Sequence, residues 1–247
     1  MRALFLGILF YAAVGIGLVT VIPPWLLYCM VFNKRHRFMA VVKPFFYVVF
    51  KLFGVKVKVE GALPEDSRVC FILCNHQSFI DVPVILFGLF PCAFLAKKSL
   101  FKIPYFGQLL SYTDSIPVMR GNPQENANLT NEIRRRLSQN FPVMAFPEGT
   151  RSKNGELLPF KNGVFRIIKE AGVPVLPVTI VGAWKVLPRT GISFYPGEIK
   201  LIPHGIISAE QVSKLSQEEL KTFVREKILL NYSHATTEIQ KEKESQA

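Results

Sequence analysis

From Ala3 to Phe32 the chain runs thirty residues without a charged side chain. Few features constrain a fold more, because water gives such a segment no favourable exposed state. Residues 3 to 22 alone have the length of a helix that crosses a bilayer core, which takes about 20 apolar residues. Pro23-Pro24 then interrupts the stretch. It is too long for a signal peptide, and no small-residue cleavage site precedes the basic cluster Asn33-Lys34-Arg35-His36-Arg37. A second apolar stretch, Phe38 to Val55, is broken by Lys43, Pro44 and Lys51 and reads as interfacial. Two topologies fit: one crossing, or a helical hairpin kinked at the prolines and held in one leaflet. Lys34, Arg35 and Arg37 outweigh Arg2, so either topology leaves the rest of the chain in the cytoplasm. The expected organisation is a helical membrane anchor over residues 1–54 and one domain over 55–247.

Charge placement narrows the partners. The formal net charge is +12, and the first 60 residues hold eight Lys and Arg against Glu60 alone. Positive charge beside an apolar segment suits anionic lipid headgroups. No helix carries a basic stripe with interleaved aromatics, so nucleic acid is not an expected partner. The four cysteines, Cys29, Cys70, Cys74 and Cys92, lack metal-ligand spacing and read as small buried hydrophobes in a reducing compartment.

Beyond residue 54, strand-like and helix-like patterns alternate. Apolar runs at Val55–Val59, Val69–Cys74, Ala93–Ala96, Ser115–Val118, Val143–Phe146, Val175–Val181 and Glu198–Ile202 read as strands. Helical patterns lie near 82–89, 99–112, 124–139 and 161–171. Ser216-Gln217-Glu218-Glu219 is a capping box opening a helix to about Tyr232, followed by a charged, frayed tail. The alternation predicts an α/β fold, a mostly parallel central sheet flanked by helices, behind the N-terminal helical membrane anchor.

Two polar clusters sit where strands end, the edge at which open α/β sheets bind ligands. Asn75-His76-Gln77-Ser78-Phe79-Ile80-Asp81 follows the buried run Val69–Cys74. Five residues on a regular helix would leave His76 and Asp81 about 140° apart, so the pair requires a turn, with Asp81 at the helix start and Pro83 tolerated in the first turn. A carboxylate that holds one ring nitrogen leaves the other to take a proton from a hydroxyl. Phe146-Pro147-Glu148-Gly149-Thr150-Arg151-Ser152 follows Val143–Phe146 in the same way. Its Gly149 turn, hydroxyls and Arg151 can hold an anion, and Lys161, opening the next helix with Asn162 and Gly163, adds to that site. Arg120 ends the run Ser115–Met119, and Lys97 and Lys98 follow a short strand. Ser78 reads as a turn or cap residue, and no Gly-x-Ser-x-Gly elbow supports a serine nucleophile. A base without a protein nucleophile acts on a substrate hydroxyl, which predicts direct acyl transfer.

These residues resemble a family. Asn75-His76 to Asp81, Arg120, Phe146 to Ser152 and Val173-Pro174-Val175-Leu176-Pro177-Val178 resemble the four ordered motifs of the glycerolipid acyltransferases, over roughly residues 55–205. The resemblance is close to the 1-acylglycerol-3-phosphate acyltransferases. It implies transfer of a fatty acyl group from acyl-CoA or acyl carrier protein to the 2-hydroxyl of lysophosphatidic acid, giving phosphatidic acid. It implies His76 as base and Asp81 as its orienting carboxylate. Arg120, Glu148, Gly149, Thr150 and Arg151 become the acceptor-phosphate region, with Asn75, Ser78, Lys97, Lys98 and Lys161 as further candidates. Val173 to Val178 would shape the acyl-donor side. No metal or bound cofactor is expected. The competing readings are a related acyltransferase or transacylase using another lysophospholipid or glycerol phosphate, and a non-catalytic membrane-binding module.

Overall fold

The protein is described here from a computed structural model, which covers residues 1–32, 39–119 and 128–244. Arg120 and the cluster Lys34 to Arg37 lie outside the described residues. The strands are β1 (Val55–Val59), β2 (Phe71–Cys74), β3 (Ala93–Lys97), β4 (Ile116–Val118), β5 (Val143–Ala145), β6 (Val175–Val181) and β7 (Gly197–Pro203). They form one sheet in the order β1-β7-β6-β2-β5-β3-β4. Neighbours pair in parallel except β6 with β7, which run antiparallel. Each expected strand forms, two of them with the expected bounds and the others with ends moved by one or two residues.

The fully apolar strands are explained by two covered faces. In β2, Ile72 and Cys74 enter one core while Phe71 and Leu73 enter the other. On the first face lie α1 (Arg2–Thr20), α3 (Met39–Leu52), α4 (Asp81–Gly88) and α8 (Ala183–Val186), contributing Phe10, Phe50, Val84 and Ala183. On the second lie α6 (Leu129–Ser138), α7 (Asn162–Ala171), α9 (Ala209–Lys214) and α10 (Gln217–Glu244), contributing Ile133, Phe165, Val212 and Val224. A buried parallel strand has no wet face and therefore no alternation.

The N-terminal helices also pack on this domain. α1 and α2 (Ile22–Val31) together form one helix long and apolar enough to cross a membrane. The prolines interrupt it less than expected: they occupy the first positions of α2, where a missing N–H costs least. α1 approaches the loop before β7 so closely that a Cβ on Gly7 would lie 1.6 Å from the Ile192 carbonyl oxygen. Phe10 stacks on Phe194 at 4.5 Å, and the Phe194 N–H donates to the Ala3 carbonyl. Further along, Ile22, Leu26 and Cys29 pack with Leu109 and Tyr112 of α5 (Phe106–Tyr112).

Two helical expectations are corrected. The helix expected over 99–112 is a 3-10 turn at Lys98–Lys102, then a break, then α5; Pro104 and the positive φ of Tyr105 end the first piece. The expected capping box opens α10, with Ser216 and Glu219 exchanging hydrogen bonds of 2.7 and 3.2 Å. That helix does not stop near Tyr232 but continues to Glu244. Its tail lacks an apolar stripe, but Ala, Glu, Gln and Lys are good helix formers.

Candidate active site

Cys74 ends β2, and the chain leaves the sheet through Asn75. Its side chain accepts from the Ile180 N–H (2.7 Å) and donates to the Ile180 carbonyl (2.8 Å), so Asn75 ties β2 to β6 rather than facing a ligand. The turn that follows is organised by one carboxylate oxygen. Asp81 Oδ2 accepts from Gln77 N–H at 2.7 Å and Ser78 N–H at 2.8 Å, and lies 2.7 Å from His76 Nδ1. Asp81 is fully buried, whereas the His76 side chain is 19% exposed. The two backbone donors hold the carboxylate still, so Nδ1 carries the proton it donates and Nε2 is left as an acceptor. Ser78 Oγ donates to the Leu187 carbonyl at 2.6 Å and accepts from Ile80 N–H, which makes it a turn residue.

The second cluster is bolted to the first because β2 and β5 are neighbours. The Glu148 carboxylate accepts from the His76 N–H at 2.6 Å and the Leu158 N–H at 2.9 Å. Ser152 N–H donates to the His76 carbonyl, and Phe146 stacks flat on the His76 ring with centroids 3.9 Å apart. Glu148 is thus a buried strut between the loops. Burial pushes the Glu148 carboxyl up to about 7, against the lowering effect of its two N–H donors, and the nearby Asp81 charge adds to the rise. A carboxyl raised in the folded chain contributes fully to stability below its unfolded value, near 4.5, and loses that contribution as pH rises through about 7. Relative to wild type, Glu148→Gln is therefore expected to gain stability steadily as pH is raised over this window. Equal pH slopes in denaturant titrations of the two proteins would place the carboxyl back in its usual range.

The Arg151 guanidinium lies 3.3 Å from the centroid of the exposed Phe79 ring, and its buried Nη1 has no hydrogen-bond partner among the described residues. Arg189 Nη1 donates to the Arg151 carbonyl, and burial together with the Arg189 charge lowers the proton affinity of Arg151. A cleft of about 630 Å³ is lined by the apolar Leu95, Phe146 and Ile167 and by Lys97, Gly149 and Lys161. Gly149 sits at φ +67°, the left-handed turn its residue type permits, beside the Lys161 side chain. Lys97 also borders a smaller recess with Lys98 and Lys102. Thr150 is exposed. Among the described residues no cluster of His, Cys, Asp and Glu could hold a metal ion.

Phe79 and Phe146 were read only as members of the two clusters, and Arg189 and Tyr232 were given no part in the site. Tyr232 of α10 donates to the Gly155 carbonyl and lies 3.5 Å from Gln77 Oε1, touching both loops. Arg189 lies in Leu187-Pro188-Arg189-Thr190-Gly191, which follows α8.

Fold and site together place the chain among α/β proteins that hold a histidine–aspartate pair beside a glycine–arginine loop on the open edge of the sheet. Residues 54–181 match the Acyltransferase family, and the chain belongs to that family. It is similar to curated 1-acyl-sn-glycerol-3-phosphate acyltransferases. Identity is 31% over 86% of this chain for the chloroplastic Brassica napus protein, 36% over 62% for the Haemophilus influenzae protein, and 32% over 73% for the Saccharomyces cerevisiae protein. The chain spans 64%, 65% and 61% of their respective lengths. Its fold is similar to the crystal structure of a 1-acyl-sn-glycerophosphate acyltransferase from Thermotoga maritima, with TM-score 0.78 and 29% identity over 95% of this chain and 96% of that one. The resemblance carried by the four motifs and the mostly parallel α/β fold are thereby borne out.

Proposed function

We propose that the protein acylates the 2-hydroxyl of lysophosphatidic acid, a step of phospholipid biosynthesis, using acyl-CoA or acyl carrier protein as donor. The observation that carries this reading is the 2.7 Å contact between His76 Nδ1 and Asp81 Oδ2, locked through Glu148 to the loop that bears Arg151. His76 Nε2 takes the hydroxyl proton as the oxygen attacks the thioester carbonyl. The new C–O bond forms, the C–S bond breaks, and the departing thiolate takes the proton back from Nε2. Both reactants are co-substrates, so the reading needs no metal or resident cofactor. Arg151 is the main cation for the acceptor phosphate, since its Nη1 lacks among the described residues an acceptor that a phosphate oxygen supplies. Arg120 remains in the acceptor region by its motif.

The membrane reading follows from the anchor. α1 and α2 touch the domain near both ends, at Gly7 and at Leu26, and this favours the topology held in one leaflet over a crossing that leaves the domain behind. The basic cluster puts the site on the cytoplasmic face. Residues 1–54 then act as the anchor of the acyltransferase domain 55–247.

Mass spectrometry of products from purified protein given mixed thioesters and several lysolipids tests the function. Phosphatidic acid is the expected main product; a different acylated lysophospholipid would favour the related acyltransferase reading, and lipid binding without any transfer would favour a non-catalytic module. In the same assay Arg151→Ala is expected to lower use of a phosphate-bearing acceptor by roughly 10- to 150-fold, the equivalent of losing charge-assisted contacts of about 1.5–3 kcal/mol. An equal loss with a monoacylglycerol acceptor would remove Arg151 from the phosphate site.

A further inference from the structure

One segment exposes apolar surface that neither the folding of the domain nor the candidate active site uses. Between the 3-10 turn at Lys98–Lys102 and α5 the chain runs Lys102-Ile103-Pro104-Tyr105-Phe106, and all five residues are exposed. Ile103 is 45%, Tyr105 72% and Phe106 39% accessible. The loop holds a defined shape: Phe106 N–H donates to the Pro104 carbonyl and Gly107 N–H to the Ile103 carbonyl, each at 2.7 Å. Tyr105 sits at φ +62°, a conformation in which glycine or asparagine is at home and a bulky aromatic is strained. The strain turns an aromatic ring outward, where water returns nothing for it.

Two neighbours indicate what covers this tip. One turn further on, Leu109 and Tyr112 of α5 pack against α2, and α2 itself exposes Leu27, Met30 and Val31, with Phe32 exposed just past its end. The tip therefore lies beside the exposed apolar face of the anchor. From Lys97 to Thr113 the sequence has Lys97, Lys98 and Lys102 and no acidic residue. Apolar side chains flanked by lysines fit a bilayer surface with anionic headgroups, rings at the acyl boundary and ammonium groups at the phosphates.

We propose that Lys98–Phe106 is a second membrane contact, separate from the anchor helices, which docks the carboxyl edge of the sheet on anionic lipid. The proposal rests on the membrane reading above. Lys97 lines both the main cleft and the recess beside this segment, so docking the tip brings the cleft to the surface in which a lysolipid lies.

Four native cysteines are buried, so in the full chain a thiol-reactive fluorophore reports on Tyr105→Cys, with Leu27→Cys as the anchor reporter. In phosphatidylcholine vesicles the label at 105 is expected to shift to the blue and to be quenched by spin-labelled lipid, more strongly when phosphatidylglycerol is added. Lys102→Gln should shrink that phosphatidylglycerol increment. Ile103→Ser with Tyr105→Asn, which removes the apolar tip and relieves the backbone, should keep turnover on detergent-dispersed acceptor and lose about ten-fold on vesicle-borne acceptor. A label quenched at 27 but water-like at 105 overturns the proposal and leaves the anchor intact. Labels unquenched at both positions overturn the membrane reading itself. A blue shift at 105 that follows protein concentration and ignores the lipid quencher assigns the tip to a second copy of the chain and overturns the proposal as well.

Discussion

Replacing His76 by alanine is expected to lower turnover by about 10²- to 10⁴-fold, the range a positioned general base supplies, while the protein stays folded and bound to membranes. The substitution is a clean one because the main-chain bonds around the residue do not involve the ring. The His76 N–H still reaches Glu148, and its carbonyl still accepts from Ser152. What is lost is the proposed base, its 2.7 Å hydrogen bond to the buried Asp81 carboxylate and a stacking contact with Phe146, the last worth about 0.5–1.5 kcal/mol. Turnover measured beside thermal unfolding separates the two effects. Near-normal turnover in a folded His76→Ala protein would remove the residue from the chemistry.

Asp81 should give the second large effect, and its two obvious variants should differ in kind. In Asp81→Asn the backbone donors of Gln77 and Ser78 keep the amide oxygen where Oδ2 now lies. The His76 tautomer is then preserved, and only the negative charge that stabilises the protonated ring is removed. A fall in turnover of roughly 10²- to 10³-fold with little unfolding is expected. In Asp81→Ala the same two donors and the His76 ring nitrogen lose their partner inside a fully buried pocket. Each orphaned buried group costs about 1–3 kcal/mol, so this variant should lose stability by about 3–5 kcal/mol and turnover as severely as His76→Ala. Denaturant unfolding of both variants, read beside their turnover, makes the comparison. If Asp81→Asn keeps full turnover, the carboxylate is a structural cap of the turn and nothing more.

Much of the fold was legible because its signals are local. A strand buried on both faces reads as an unbroken apolar run, and the polar residues after it mark the carboxyl edge of the sheet. The capping box of α10 was visible for the same reason. Legibility failed where a local pattern had more than one outcome. The pattern over 99–112 read as one helix across Pro104, and nothing in the sequence announced an aromatic at positive φ beside it. The charged last ten residues read as frayed, although α10 extends to Glu244.

The candidate site divides along the same line. Spacing alone determined that His76 and Asp81 meet only across a turn, since both lie in one seven-residue segment whose geometry is nearly local. Tertiary structure decided what the turn is fastened to. Glu148 lies 72 residues from His76 and Ile180 lies 105 from Asn75, and these pairs meet because β2 is inserted between β5 and β6. Strand order arises from crossover connections and from how two helical layers cover the sheet, so no short stretch of sequence encodes it. For that reason the contact between His76 and Asp81 could be read from the chain, whereas the support that Glu148 gives from the neighbouring strand could not.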